Sequence, residues 1–163
     1  LLAFAFVVGW PLFEPELEDG NYAPAHHMFT MPLPEDVPKL EKDPASVRSL
    51  QHDIVLNGFE VGGGSIRIHD ADIQEKIFKL IGFGKDRIKF FSHMLEAFSY
   101  GAPPHGGMAP GIDRLVMLLA GEENLREVVA FPKNQKAQDL VTGAPDDIEP
   151  IQLKELNLRF KKD

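Results

Sequence analysis

The sequence predicts an α+β fold, an antiparallel sheet flanked by helices, from three observations. Two β-rich runs are joined at Asn57-Gly58, the strongest short hairpin cue, because both residues tolerate positive φ. Apolar residues recur at helical spacing in three segments between residues 70 and 119. Strands are interspersed with helices instead of alternating strictly with them, which disfavours a doubly wound parallel sheet.

Taken in order, LLAFAFVV (1–8) reads as a buried strand, ended by Gly9-Trp10-Pro11. It lacks the basic flank and cleavage site of a signal peptide, and is far short of the roughly 20 residues that span a membrane. Residues 14–25 are acidic and rich in turn formers, hence an exposed loop. Residues 26–30 are expected as a second strand, the proline-rich 32–38 as irregular, and 45–51 as a short helix. The hairpin covers 53–69. A helix follows to Ile81 with Asp70 as N-cap, then another over 86–100 ending at Gly101. Glycine and proline dominate 101–111, and 112–119 form a very apolar helix closed by Gly121. Residues 128–131 are expected as a buried strand, and the polar tail as partly helical.

The chain has 163 residues, 44% of them hydrophobic, enough to bury one domain's core. A net charge of −8 argues against a free-standing nucleic-acid binder, since phosphate neutralisation needs Lys and Arg. With no cysteine there is neither disulfide nor thiolate metal site, and an intracellular setting is the default. A start at Leu1, on a bare apolar strand, suggests a piece of a longer protein.

The hairpin carries the first candidate chemistry. With Asn57 and Gly58 in the loop, Leu56 pairs with Phe59, Val55 with Glu60 and Asp53 with Gly62. Asp53 and Glu60 then project from one face as diagonal neighbours, roughly 7–8 Å apart. Two carboxylates and no cysteine point to Mg²⁺ completed by phosphate oxygens, although acidic hairpin residues are also common as a solvated face. Gly62-Gly63-Gly64 forfeits strand stability, so either something approaches the backbone there or the strand bends. Arg67 suits a carboxylate, but by strict alternation it faces away from Glu60 unless a glycine bulge resets the register. His26 and His27, adjacent in a strand, would point to opposite faces and could not chelate one metal. Arg114 sits in the first turn of an apolar helix, where the dipole is unfavourable to a cation; either an anion lies nearby or the side chain snorkels to solvent.

Five colinear blocks, FVVGWPLFE, HHMFT, NGFEVGGGSIRIH, YGAPPHGGMAPGIDRLVMLLAG and VVAFPKNQKAQDL, resemble bacterial-type aspartyl-tRNA synthetases along nearly the whole chain. The resemblance implies the C-terminal part of a class II catalytic core over 1–163. GMAPGIDR looks like class II motif 3, a strand followed by a helix. Arg114 would then contact the adenine and γ-phosphate of ATP, with Gly111, Ile112 and Asp113 shaping that wall. Asp53 and Glu60 would bind the Mg²⁺ that bridges the ATP phosphates. Arg67 would read the aspartate side-chain carboxylate, His26 would belong to the loop closing over the amino acid, with His27 a lesser candidate, and Gly63 would lie in the substrate floor. Pro110 stands where this motif commonly has a bulkier apolar residue.

The implied reaction is ATP-dependent formation of aspartyl-adenylate, then transfer to the 3′ end of tRNA(Asp), by a cytoplasmic homodimer with no membrane association. Whether tRNA(Asn) is also charged is left open. Motifs 1 and 2, the anticodon-binding domain and the inserted domain find no match and would lie upstream of Leu1, so the isolated chain is expected to be inactive. Two alternatives stand beside this reading. A non-catalytic paralogue or binding fragment would have no need of Asp53, Glu60, Arg67 and Arg114 together, and an asparaginyl enzyme would suit Arg67 less well.

Overall fold

A computed structural model describes residues 1–160. The chain divides into two compact units, Leu1–Leu115 and a second that begins at Val116. The first is built on a four-stranded antiparallel sheet of order β1-β2-β3-β4, comprising Phe4–Val8, Gln51–Leu56, Phe59–Ile66 and Gly106–Pro110.

The β2-β3 turn forms as its sequence dictates, with Asn57 at φ 50° and Gly58 at φ 85°. Leu56 pairs with Phe59 and Val55 with Glu60, as expected, but Asp53 pairs with Gly63, not Gly62. The cause is a bulge: Ile54 faces Gly62 and Val55 faces Glu60, leaving Val61 as the extra residue. Val61 is buried. The reset therefore comes one residue before the glycines.

β1 pairs with β2, Phe4 opposite Leu56 and Val8 opposite His52. Contrary to expectation it is not buried: Phe4, Phe6 and Val8 are 61%, 70% and 70% exposed, because no described part of the chain covers their face. The Gly/Pro-rich stretch contains a strand, β4, as the motif resemblance implied. Its backbone lies so close to β3 that a β-carbon on Gly64 would collide with the Gly107 carbonyl. Glycine on both strands is what permits this pairing.

The core of this unit gathers Leu12, Phe13, Leu40, Val47, Ile68 and Ile77. α1 (Ala71–Leu80) starts at the expected N-cap, where Asp70 Oδ1 accepts from the Ile73 N–H at 3.0 Å. The helix expected over 86–100 is two, α2 (Lys85–Lys89) and α3 (Ser92–Ser99). At the break the Phe91 ring turns into a cluster with Phe29, Phe78 and Phe83, its centroid 4.9 Å from that of Phe78. Burying one aromatic outweighs continuing one helix.

Two more expectations fail nearby. The proline-rich stretch is not irregular: Pro34–Glu41 form a 3₁₀ helix pinned by buried Asp36, which pairs with Lys39 at 2.6 Å and Arg48 at 2.8 Å. The expected helix over 45–51 shrinks to a 3₁₀ turn at Pro44–Ser46, since Gln51 is taken into β2.

α4 (Ile112–Ala120) begins in the first unit. In the second unit Leu125–Glu127 form a 3₁₀ turn capped by Asn124, and α5 (Pro150–Glu155) opens with a Glu149/Gln152 capping box. Residues 128–131 are not the expected buried strand. They pair with no strand among the described residues, and Phe131 is exposed.

Candidate substrate and metal site

The bulge determines which side chains share a face. Asp53 stands opposite Gly63 and Gln51 opposite Ser65, so Gly63, Ser65 and Arg67 follow Asp53 onto one side of the sheet. Asp53, Glu60, Gly63 and Arg67 line one cavity of about 520 Å³, together with His26 and His27. The expected conflict between Glu60 and Arg67 is thereby removed.

The carboxylates converge over Gly63. A β-carbon there would lie 2.7 Å from Asp53 Oδ1 and 3.6 Å from Glu60 Oε1. Gly63 is thus the gap that admits the Asp53 side chain, whereas Gly62 and Gly64 accommodate β4. Asp53 is only 7% exposed, and Gln51 Nε2 donates to its Oδ1 at 3.1 Å. Among the described residues no three His, Cys, Asp or Glu side chains are grouped to hold a metal. Two converging oxygen ligands fit a hard cation such as Mg²⁺, which characteristically keeps several waters and takes phosphate oxygens as further ligands.

Opposite the carboxylates lies the cationic side. Arg67 is fixed by its backbone, which bridges to Thr30 and donates from its N–H to the His105 carbonyl at 2.9 Å. Its Nη1 lies 3.0 Å from His27 Nδ1. His26–Thr30 is not the expected strand but a turn, with Thr30 alone bridged to Arg67. A turn frees the two histidines from opposite-face geometry, and both line the cavity. His26 packs edge-on against Trp10, ring centroids 5.3 Å apart. Burial first, then the charges of Arg67 and His26, hold the His27 imidazole below its ordinary value.

Arg114 reaches the same hairpin from the first turn of α4. Its Nη1 donates to the Glu60 carbonyl at 2.7 Å and lies 3.9 Å from Glu60 Oε1. The cation at this helix start therefore has an anion within its own chain. Gly111 seats the turn by donating its N–H to the carbonyl of the bulged Val61 at 2.8 Å. Ile112 and Asp113 follow on exposed positions.

Three contributors escaped the sequence reading: Gln51 behind Asp53, and the buried hydroxyls of Ser65 and Thr30 against the His27 ring, at 3.3 and 3.2 Å. Alternation places Gln51 on Asp53's face, a usable signal. Nothing local marks Ser65 or Thr30, since their closeness to His27 is tertiary.

The four-stranded antiparallel sheet and the β4-α4 strand-helix match a class II synthetase core, and the comparisons agree on the fold. Residues 2–135 match the model of class II tRNA synthetases (D, K and N), and the chain belongs to that family. It is 57% identical over 159 residues to the aspartate–tRNA(Asp/Asn) ligase of Anoxybacillus flavithermus, a match covering 97% of this chain and 27% of the relative. The aspartate–tRNA ligase of Enterococcus faecalis is 56% identical, with 95% and 26% covered. Among solved structures, an aspartyl-tRNA synthetase from Entamoeba histolytica superposes with a TM-score of 0.59 at 27% identity, over 82% of this chain and 23% of the other. The chain thus spans about a quarter of the length of the curated relatives it matches, 27% in the first case.

Proposed function

We propose that this chain carries the ATP, metal and amino-acid groups of an aspartate–tRNA ligase. The observation that carries this reading is the convergence of Asp53, Glu60 and Arg67 on one cavity, with Arg114 on the same hairpin. Arg67 receives the side-chain carboxylate of L-aspartate through its guanidinium fork, with His26 closing over the amino acid. Arg114 takes the adenine and γ-phosphate of ATP, alongside Gly111, Ile112 and Asp113. Asp53 and Glu60 hold Mg²⁺, which when bound offsets negative charge on the ATP phosphates.

In the ligase reaction, a carboxylate oxygen of aspartate attacks the α-phosphate. Pyrophosphate leaves and aspartyl-adenylate forms; a 3′-terminal ribose hydroxyl of tRNA(Asp) then takes the aspartyl group and AMP leaves. No side chain here need form a covalent intermediate, so these residues act by positioning and by matching charge.

The whole protein is read as a cytoplasmic homodimer, with motifs 1 and 2 and the anticodon-binding and inserted domains outside this chain. Among the described residues no helix is long and apolar enough to cross a membrane. The choice between tRNA(Asp) alone and both tRNA(Asp) and tRNA(Asn) rests with those other domains. Aspartate-dependent ATP–pyrophosphate exchange tests the reading. A full-length protein containing this chain is expected to exchange with aspartate and lose that activity in Arg67→Met, while the 163-residue chain alone shows negligible exchange. Exchange that survives Arg67→Met, or that prefers asparagine, would overturn it.

A further inference from the structure

Among the described residues, no carboxylate lies within ion-pair distance of Arg67; its side chain is held instead by an imidazole. Arg67 Nη1 lies 3.0 Å from His27 Nδ1 and also against Nε2 of that ring. A guanidinium has donors only, so the ring must offer a lone pair. A protonated imidazole has none. The contact therefore selects the uncharged form of His27.

The ring is itself secured. The Phe29 N–H donates to Nδ1 at 3.2 Å, and the Ser65 hydroxyl lies 3.3 Å from Nε2. Thr30 Oγ1 is 3.2 Å from Nδ1 and 3.3 Å from Nε2. Ser65 is fully buried and Thr30 nearly so. Because the Phe29 N–H already donates to Nδ1, Nδ1 is the lone-pair nitrogen of the neutral ring, shared by Phe29 and the guanidinium, and Nε2 carries the hydrogen, for which the Ser65 hydroxyl oxygen is an acceptor.

We propose that His27 is a positioning residue for Arg67: its uncharged ring, braced by Ser65 and Thr30, accepts from one guanidinium nitrogen and aims the remaining donors into the cavity. The functional consequence rests on the reading above, in which those donors receive a carboxylate. An unbraced arginine samples many rotamers and must be ordered by its ligand; a braced one is ordered beforehand, which favours binding. A neutral acceptor suits this task better than an Asp or Glu would, because it leaves the guanidinium charge available for the substrate.

The charged and titratable groups around the ring are Arg67 and His26 beside it, with Asp53 and Glu60 across the same cavity. Burial, then the Arg67 guanidinium and the neighbouring His26, hold His27 in its uncharged form as pH falls, and the contact fails only once the ring is protonated.

The experiment follows the His27 ring nitrogens and the Arg67 guanidinium of the 163-residue chain by ¹⁵N NMR between about pH 5 and 8. His27 is expected to stay neutral below the pH at which an ordinary imidazole protonates, and Arg67→Met to raise its midpoint. Rotation of the Arg67 guanidinium should quicken in His27→Ala and be slowed again in His27→Gln, whose amide oxygen restores an acceptor. A merely space-filling ring would give no such rescue. Titration of His27 indifferent to Arg67→Met, or guanidinium motion indifferent to His27→Ala, overturns the proposal. L-aspartate titrated into the same samples should bind about tenfold more weakly to His27→Ala, with rescue in His27→Gln. Wild-type coupling without any aspartate binding would instead count against the functional reading of Arg67.

Discussion

Asp53 Oδ1 stands 2.7 Å from the point where a β-carbon on Gly63 would have to sit. The Asp53 carboxylate, the proposed metal ligand, and the missing side chain are thus one arrangement. Gly63→Ala is expected to push the Asp53 carboxylate aside without unfolding the sheet. Binding of Mn²⁺, a spectroscopic stand-in for Mg²⁺, should weaken by about tenfold or more, read from the free-ion EPR signal. Unchanged affinity would remove Asp53 from the metal site.

Arg114 donates to the Glu60 backbone and approaches its carboxylate. Removing the guanidinium in Arg114→Met should weaken ATP binding about tenfold, the usual worth of a charged hydrogen bond, with aspartate affinity unchanged. Arg114→Lys should recover only part, because an ammonium lacks the planar fork. Calorimetric titration with ATP and with aspartate separates the two.

Arg67 is the discriminating cation in this reading. Arg67→Gln should cost L-aspartate about 2–5 kcal/mol of binding free energy, the range for losing one partner of a desolvated charge pair, and spare L-asparagine. Competition between the two amino acids in one binding assay reads the ratio directly; an unaltered preference would place specificity elsewhere.

Asp36 anchors the 3₁₀ helix. Hydrogen bonds from Arg48, then from Lys39, hold its carboxyl well below the usual carboxylate range. A depressed carboxylate stabilises the fold fully above its unfolded value, about pH 4, and the contribution fades as pH falls towards the folded value. Asp36→Asn should therefore lower Tm most at neutral pH, with the gap to wild type narrowing below about pH 4. Thermal unfolding followed by circular dichroism at pH 7 and pH 3 checks the sign. A gap that widens in acid would contradict it.

What could be read before the fold was known followed the range of the interactions involved. The Asn57-Gly58 turn and the Asp70 cap were legible because a few consecutive residues determine them. Asp53, Glu60, Arg67 and Arg114 could be singled out as candidates by residue type, and the fold brings the first three to one cavity with Arg114 on the same hairpin. The break at Phe91 was not, since it depends on three distant aromatic rings. The exposure of β1 was hidden for a related reason, because an apolar run reports what could be covered, not what is. His26-Thr30 looked like a strand by composition, yet turns so that both histidines reach one cavity. The bulge was anticipated in kind and misplaced by a residue, since only pairing against β2 reveals where the count slips.

That slip makes the site depend on parity. Seven positions separate Glu60 from Arg67, an odd interval that regular alternation would split between two faces, and the single unpaired Val61 makes it even. Substitutions along β3 alter one contact each. Loss of one residue between Glu60 and Gly63 would instead turn Arg67 and the Glu60 carboxylate away from each other, with nearly the same composition and hydrophobicity. In this hairpin, chain length itself determines which side chains meet.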